Sequence, residues 1–156
     1  MASSTRPRVA VAVDVVEAVG HPNVRATHRS TLEVTKEGHL TERGNCILAV
    51  RASKGARDLS DSFKELARHD DSLVVALLLA GDAVDALVAR GSRRLEFSDP
   101  MSIVIRRGEY VDGRTVAVRS SKAARDIDRG LVARLRSSKA RLTLVLLALR
   151  IEGLRL

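Results

Sequence analysis

The sequence contains one short motif twice, and its residues could bind an anion. The segments AVRASKGARD (residues 49–58) and AVRSSKAARD (residues 117–126) are identical at eight of ten positions. In both, a β-rich run ends where a helix is about to begin, so free backbone N–H groups, a hydroxyl and cationic side chains meet. This combination is typical of a site for phosphate or carboxylate. The predicted anion-binding residues are Arg51, Ser53, Lys54, Arg119, Ser121 and Lys122.

A purely structural interpretation fits the same two turns. Ser53 and Ser121 would order the chain as it enters the helix, and the basic residues would pair with Asp58 and Asp126. A duplicated scaffold preserves such turn residues without any ligand. Both interpretations stay open at the level of sequence.

A second candidate site contains two histidines, and it would be the pocket of a small enzyme or metabolite-binding protein. It comprises His21, His28, Thr31 and Glu33. If 24–36 is a strand, His28 lies on its apolar face, where an imidazole is either a general base or ligand in a pocket or, more commonly, a hydrogen-bonded core residue. No catalytic role is assigned to any of the four.

Motifs for metal, nucleotide or covalent chemistry are absent from the sequence. His21, His28, His39 and Cys46 are separated by 7, 11 and 7 residues, which matches no compact zinc pattern, and no metal site is predicted. There is no Gly-rich nucleotide loop, nucleophile elbow or His-Glu-x-x-His helix, so no cofactor is identified. Cys46 precedes an apolar run and is predicted to be a small core residue.

The similarity extends well beyond the two turns. Residues 31–80 and 101–148 are predicted to be two copies of one unit: strand, Gly-containing turn, strand, helix, strand. Apolar residues at helical spacing follow each turn, and Asp58 and Asp126 are placed to be the helix N-caps.

The remaining apolar segments complete the predicted fold. The continuous apolar runs 73–80 and 142–149 are interpreted as strands covered on both faces. Residues 8–19 read as an extra Val-rich N-terminal strand after a disordered terminus at 1–7, and 82–91 read as a short linking helix with an Asp cap and a Gly stop. Residues 8–156 are then a single α+β domain.

Two copies of such a unit would each expose an apolar sheet face that the other can cover. We therefore expect them to pack about a pseudo-twofold axis and to close six strands into a β-barrel. The pattern resembles the cradle-loop barrels, although their usual Gly-Asp turn reads RGN at 43–45 and DGR at 112–114 here. The alternative is an open α+β sheet.

A stretch near the start carries a second resemblance. Gly-His-Pro-Asn at 20–23, Ala-Thr-His at 26–28, Ser-Thr at 30–31 and Gly-Asn-Cys-Ile at 44–47 are similar to an archaeal family catalogued as domain of unknown function 371, with Asn45 where the family is expected to have Asp. The resemblance spans about residues 15–135. It implies an archaeal cytoplasmic protein and carries no activity.

Charge suggests a partner. Residues 91–156 hold 15 basic and 7 acidic side chains and so account for the whole net charge of +8. This asymmetry favours a phosphate-bearing partner, either nucleic acid or a small molecule. With three aromatic residues in the chain, base stacking is disfavoured.

The longest apolar run is too short to cross a bilayer, and one cysteine suits a reducing cytoplasm. No oligomeric state follows from the sequence.

Overall fold

The computed structural model describes residues 6–153, which fold as a mixed α+β structure rich in strands. Single-turn 3₁₀ segments, Ala56–Asp58 and Ala124–Asp126, precede the two helices. Residues 1–5 of the predicted disordered terminus lie outside the described residues. In chain order the elements are β1 (Arg8–Val19), β2 (Thr31–Thr35), β3 (Ile47–Ala49), α1 (Asp61–Ala67), β4 (Leu73–Ala80), β5 (Ala83–Arg90), β6 (Ser102–Arg106), β7 (Thr115–Ala117), α2 (Arg129–Arg134) and β8 (Arg141–Glu152).

The strands form two four-stranded sheets. The long sheet has the order β1-β8-β4-β5 and is antiparallel throughout. The short sheet has the order β3-β2-β6-β7, in which the central β2–β6 pair is antiparallel and the two outer pairs are parallel. Single-residue bridges, Val19 with Val50 and Arg90 with Val118, link the sheets at their edges.

The α+β class is confirmed, but the six-stranded barrel is wrong. Eight strands lie in two sheets, and no closed barrel of continuously paired strands occurs in residues 6–153. The reason is strand length. The four strands of the long sheet pair along most of their length, whereas β3 and β7 are only three residues long and each sheet junction is a single bridge.

The predicted linking helix at 82–91 is also wrong, because this segment is strand β5. Gly81, with φ +62°, and Asp82 form a two-residue turn that pairs Ala80 with Ala83, and a left-handed conformation at such a turn favours glycine. Along β5 the burial alternates, with Leu87 facing the core. The period of two prevails over the apparent helix caps.

The segment 24–36 is a strand only at β2, so the face assigned to His28 by alternation does not hold.

The predicted helix caps also shift by two residues. Ser60 caps α1 and Asp128 caps α2, accepting hydrogen bonds from the backbone N–H groups of Phe63 and Leu131. Asp58 and Asp126 instead accept from the backbone at the start of the 3₁₀ segments.

The apolar runs 73–80 and 142–149 lie in strands, as predicted, but only one face of each is covered. Inward residues such as Val74, Leu78 and Leu144 are buried, and the alternate residues are partly exposed. Helix α1 packs against β1 and β8, and its Phe63 meets Phe97 edge to face with ring centroids 6.2 Å apart. No helix in the described part of the chain is long and apolar enough to cross a membrane.

Residues 8–80 and 83–152 contain the same kinds of element in the same order. In this order β5 stands in the second segment where β1 stands in the first. At the centre of the long sheet Leu77 pairs with Val145, and at the centre of the short sheet Glu33 pairs with Val104.

Candidate functional site: an arginine cleft and the two Ser-Lys turns

The serines of the repeated turns bind the neighbouring edge strands. The Ser53 N–H donates to the Glu17 carbonyl at 2.7 Å, and the Ser53 hydroxyl accepts from the Glu17 N–H at 3.0 Å. Ser121 makes the same pair of bonds with Val88, at 2.8 and 3.1 Å. Each serine thus adds two hydrogen bonds to an edge strand of the long sheet, β1 for Ser53 and β5 for Ser121.

The lysines of the same turns face internal carboxylates. Lys54 forms an ion pair with Asp14, whose side chain is 4% exposed, and the other Asp14 oxygen accepts from the Ser60 N–H at 2.6 Å. Lys122 pairs with Asp85 at 2.5 Å. The charge of each lysine is therefore compensated within the fold.

Asp85 remains ionised for a clear reason. Burial by itself raises the pKa of Asp85, but hydrogen bonds from Lys122 and from the backbone N–H groups of Asp128 and Ala86 outweigh it and hold this pKa below its ordinary value. The carboxylate organises the start of α2 in the same way that Asp14 organises the start of α1.

The two arginines of the turns adopt the left-handed conformation, with φ of 52° at Arg51 and 50° at Arg119. This conformation costs a non-glycine residue on the order of 1 kcal/mol, so the surrounding fold must hold it in place. The Arg51 guanidinium lies against Gly38, where a Cβ would come within 2.9 Å of its Cζ. Arg119 pairs with Glu109, with Nε and Oε1 separated by 2.6 Å.

The two histidines of the other predicted site order turns. The His28 Nδ1 accepts hydrogen bonds from the backbone N–H groups of Ser30 and Thr31, at 3.2 and 3.1 Å. The His21 Nδ1 accepts from the Asn23 N–H at 3.0 Å. In both rings Nδ1 is occupied by the residues that follow in the chain. The structure therefore brings His28 and Thr31 together at the entry to β2.

Glu33 has different partners and is buried within the short sheet. Its Oε2 accepts from the Ser102 hydroxyl at 2.9 Å, and its Oε1 lies 3.5 Å from the Cys46 thiol and 3.6 Å from Arg114 Nη1. Burial, together with the charge of Glu33 and its hydrogen bond, raises the pKa of the Cys46 thiol to about 11. Cys46 is thus held as a neutral thiol and is a poor nucleophile.

The described residues contain no cluster of three or more His, Cys, Asp and Glu side chains placed to hold a metal ion.

Sequence reasoning missed a cleft of about 310 Å³ at the end of β5. A Cβ at Gly91 would lie 2.3 Å from the Ala67 carbonyl oxygen, so glycine lets β5 end against α1 and the next three residues turn across the surface. The only signal was the run Arg-Gly-Ser-Arg-Arg at 90–94 within the basic half of the chain. We call it the arginine cleft, and its charged lining residues are Asp70, Arg90, Arg93, Arg94, Glu109 and Arg119.

Positive charge is in excess in the arginine cleft. Arg93 Nε lies 3.6 Å from Asp70, and Arg119 pairs with Glu109. Arg90 and Arg94 are exposed and form no ion pair with any residue in 6–153. Two arginines that line the cleft are therefore without an ion-pair partner among the described residues, and the guanidinium group is a donor suited to phosphate or carboxylate.

The fold and the cleft define a two-sheet α+β protein with a basic surface cleft. The chain belongs to the DUF371 family, a domain of unknown function, whose model matches residues 16–149. An uncharacterized protein of the archaeon Methanocaldococcus jannaschii is 38% identical over 125 residues, which cover 80% of this chain and 92% of that protein. The family resemblance noted from the sequence is confirmed.

Proposed function

We propose that this protein is a binding module for a phosphate-bearing partner and that the arginine cleft is its binding site. The observation that supports the proposal is that Arg90 and Arg94 line the cleft and form no ion pair with any described residue. Arginine forks match the oxygens of phosphate in a bidentate geometry. An unpaired arginine pair in a concave site is therefore suited to a dianionic or diester phosphate.

The volume of the cleft limits the size of the partner that it can bind. At about 310 Å³ it lies at the lower end of ordinary ligand pockets. It has room for a phosphate together with a sugar or one flanking phosphate. A nucleotide-like molecule, or one or two phosphates of a nucleic acid backbone, fits this size.

We also infer that the two halves of the chain are copies of one ancestral unit and that the cleft developed in the second copy. Val19 and Arg90 make equivalent bridges, and Gly20 and Gly91 make equivalent close approaches to carbonyl oxygens. The next positions differ, because Pro22 and Asn23 stand in the first half where Arg93 and Arg94 stand in the second. The adjacent arginines of the cleft therefore have no counterpart at the equivalent positions of the first half.

The six residues predicted from the repeated turns have different roles in this proposal. Arg119 lines the cleft and would contact the partner directly. Ser121 and Lys122 support it from behind by anchoring the turn to β5 and to Asp85. Arg51, Ser53 and Lys54 are the first-copy equivalents, and any anion they bind would be held mainly by Arg51, because the other two side chains are engaged.

The experiment is a titration with pyrophosphate, AMP, and single- and double-stranded DNA 12-mers at 50 and 200 mM salt. Measurements on Arg94→Ala and Arg90→Ala are compared with Arg136→Ala, which removes one exposed arginine outside the cleft. Losing one charged hydrogen-bonding partner costs roughly 1.5–3 kcal/mol, so we expect about 10- to 100-fold weaker binding for each cleft variant and wild-type affinity for the control.

Salt dependence separates the two kinds of partner. For duplex DNA the logarithm of the affinity falls by about 0.9 per phosphate contact for each tenfold rise in salt, and for a single strand by about 0.7. A nucleotide bound in the cleft should be much less sensitive. If no probe binds at 50 mM salt, or if Arg136→Ala weakens binding as much as Arg94→Ala does, the proposal is rejected.

A further inference from the structure

The outward side of the long sheet is apolar on all four strands. The side chains that project outward alternate with the buried core residues, and several are strongly exposed, including Val9 (63%), Val84 (59%) and Val13 (53%). We call this surface the outer apolar face. Its members are Val9, Val11, Val13, Val15, Leu73, Val75, Leu77, Leu79, Val84, Ala86, Val88, Val145, Leu147, Leu149 and Ile151.

The strand register makes this surface continuous. One row across the sheet is formed by Val13, Leu147, Val75 and Val88, since Val13 pairs with Leu147, Leu147 with Val75, and Val75 with Val88. The rows on either side are built in the same way. Charged side chains enter only at the margins, where Glu17 pairs with Thr143, Val19 with Arg141, and Arg90 with Leu73.

The outer apolar face is as large as the apolar patches that often serve as binding surfaces. Four strands about 4.8 Å apart, each contributing about seven residues of 3.3 Å, give a footprint of roughly 450 Å² before the relief of the side chains is added. The largest apolar patch on a typical monomer is about 300–600 Å² and is often a binding surface. Continuous apolar runs such as those of β4 and β8 are typical of strands covered on both faces, yet only one face is covered here.

We propose that a second copy of this chain covers the outer apolar face, with the two long sheets packed face to face. Sheets pack in this way about 10 Å apart, and a twofold axis makes one flat apolar surface complementary to itself. With side-chain relief included, two such faces would bury on the order of 1,200 Å² in total, which reaches the range of specific interfaces.

The composition of the face favours a protein partner over a lipid surface. It consists of Val, Leu, Ile and Ala and contains no aromatic side chain. Surfaces that lie in the membrane interface use aromatic anchors such as Trp and Phe. No charged group in the centre would be buried without a partner.

The test is the molar mass of the full chain in solution, by light scattering or sedimentation, between about 1 and 100 µM. We expect twice the 16.9 kDa of one chain. Val13→Glu places a charge in the middle row of both copies and should weaken the dimer by about 100-fold or more, because each charge would be buried in an apolar interface without a partner. Tyr110→Glu is the control, since Tyr110 is 66% exposed and lies outside the face, and it should remain dimeric.

A milder variant guards against misfolding. Val13→Thr combined with Val75→Thr keeps the β-branched shape and should weaken association while the circular dichroism spectrum is unchanged. A wild-type chain that is monomeric at 100 µM would overturn the proposal, whether or not it binds vesicles of neutral lipid. A dimer that survives both sets of substitutions would overturn it as well. Phosphate binding by the monomeric variants is measured separately, so this proposal and that of the arginine cleft can fail independently.

Discussion

Replacing Asp14 should destabilise the fold more than any surface charge would. Asp14→Ala removes the acceptor of the Ser60 N–H and the partner of Lys54. A buried N–H left without an acceptor costs about 1–3 kcal/mol. The Lys54 side chain is 34% exposed and can turn to water. Breaking its ion pair with Asp14 should therefore cost less than the 3–5 kcal/mol of unfolding free energy that a fully buried broken pair costs. We expect a total of about 3 kcal/mol.

Asp14→Asn separates the two contributions, since an amide oxygen can still accept from Ser60 but carries no charge for Lys54. We expect about half the loss of Asp14→Ala. The assay is urea unfolding at fixed protein concentration for Asp14→Asn, Lys54→Met and the double variant. A loss of 3 kcal/mol also lowers the melting temperature by roughly 6–12 °C.

The double-mutant cycle should give a coupling of about 1 kcal/mol between the two side chains. Asp85→Ala is the internal comparison, because Asp85 holds Lys122 and the Asp128 N–H in the equivalent way. The reasoning is refuted if Asp14→Ala costs less than 0.5 kcal/mol, or if the effects of Asp14→Asn and Lys54→Met simply add.

Two further predictions concern titrating groups. For Asp85 and Asp112, burial raises the pKa but hydrogen bonds lower it more, so the folded-state pKa lies below the unfolded value of 3.8. Their stabilisation is present above that value and is lost as the pH falls through the folded pKa; unfolding free energies should therefore drop below about pH 5, and equal values at pH 7 and pH 3 would contradict this. Cys46, with a pKa of about 11 instead of 9.0, should carry about 100-fold less thiolate at pH 8 and react correspondingly slowly with iodoacetamide. Glu33→Gln should raise that rate, and a wild-type rate equal to that of a model thiol would be inconsistent with the buried Glu33 contact.

Local patterns in the sequence were sufficient where one period dominates a segment. The stripe around Phe63 predicted α1, and the apolar run 73–80 predicted β4, because burial and spacing agree in both. At 82–91 the signals conflict, since an Asp and a Gly bracket apolar residues at 84, 87 and 88. The segment is a strand because it pairs with β4 along its whole length. This pairing is a contact between two segments and not a local property of residues 82–91.

The site was harder to predict for the same reason. The twin turns were correctly located before the helices, but the partners of Lys54 and Lys122 come from β1 and β5, about 40 residues earlier. The arginine cleft combines residues from 70 to 119. Only the excess of arginine in residues 91–156 pointed towards it, and charge counts do not say which side chains converge.

The place of β8 in the long sheet affects how the chain folds during synthesis. β8 lies between β1 and β4, and β1 pairs with no other strand of that sheet. The twelve residues of β1 are synthesised before residues 141–152 and must wait for them to gain their paired strand in the long sheet. The sheet therefore assembles late and through contacts distant in sequence, which is a slow route. Until then an apolar strand is open to wrong pairings, and a chain interrupted before residue 141 has no central strand on which the sheet can close.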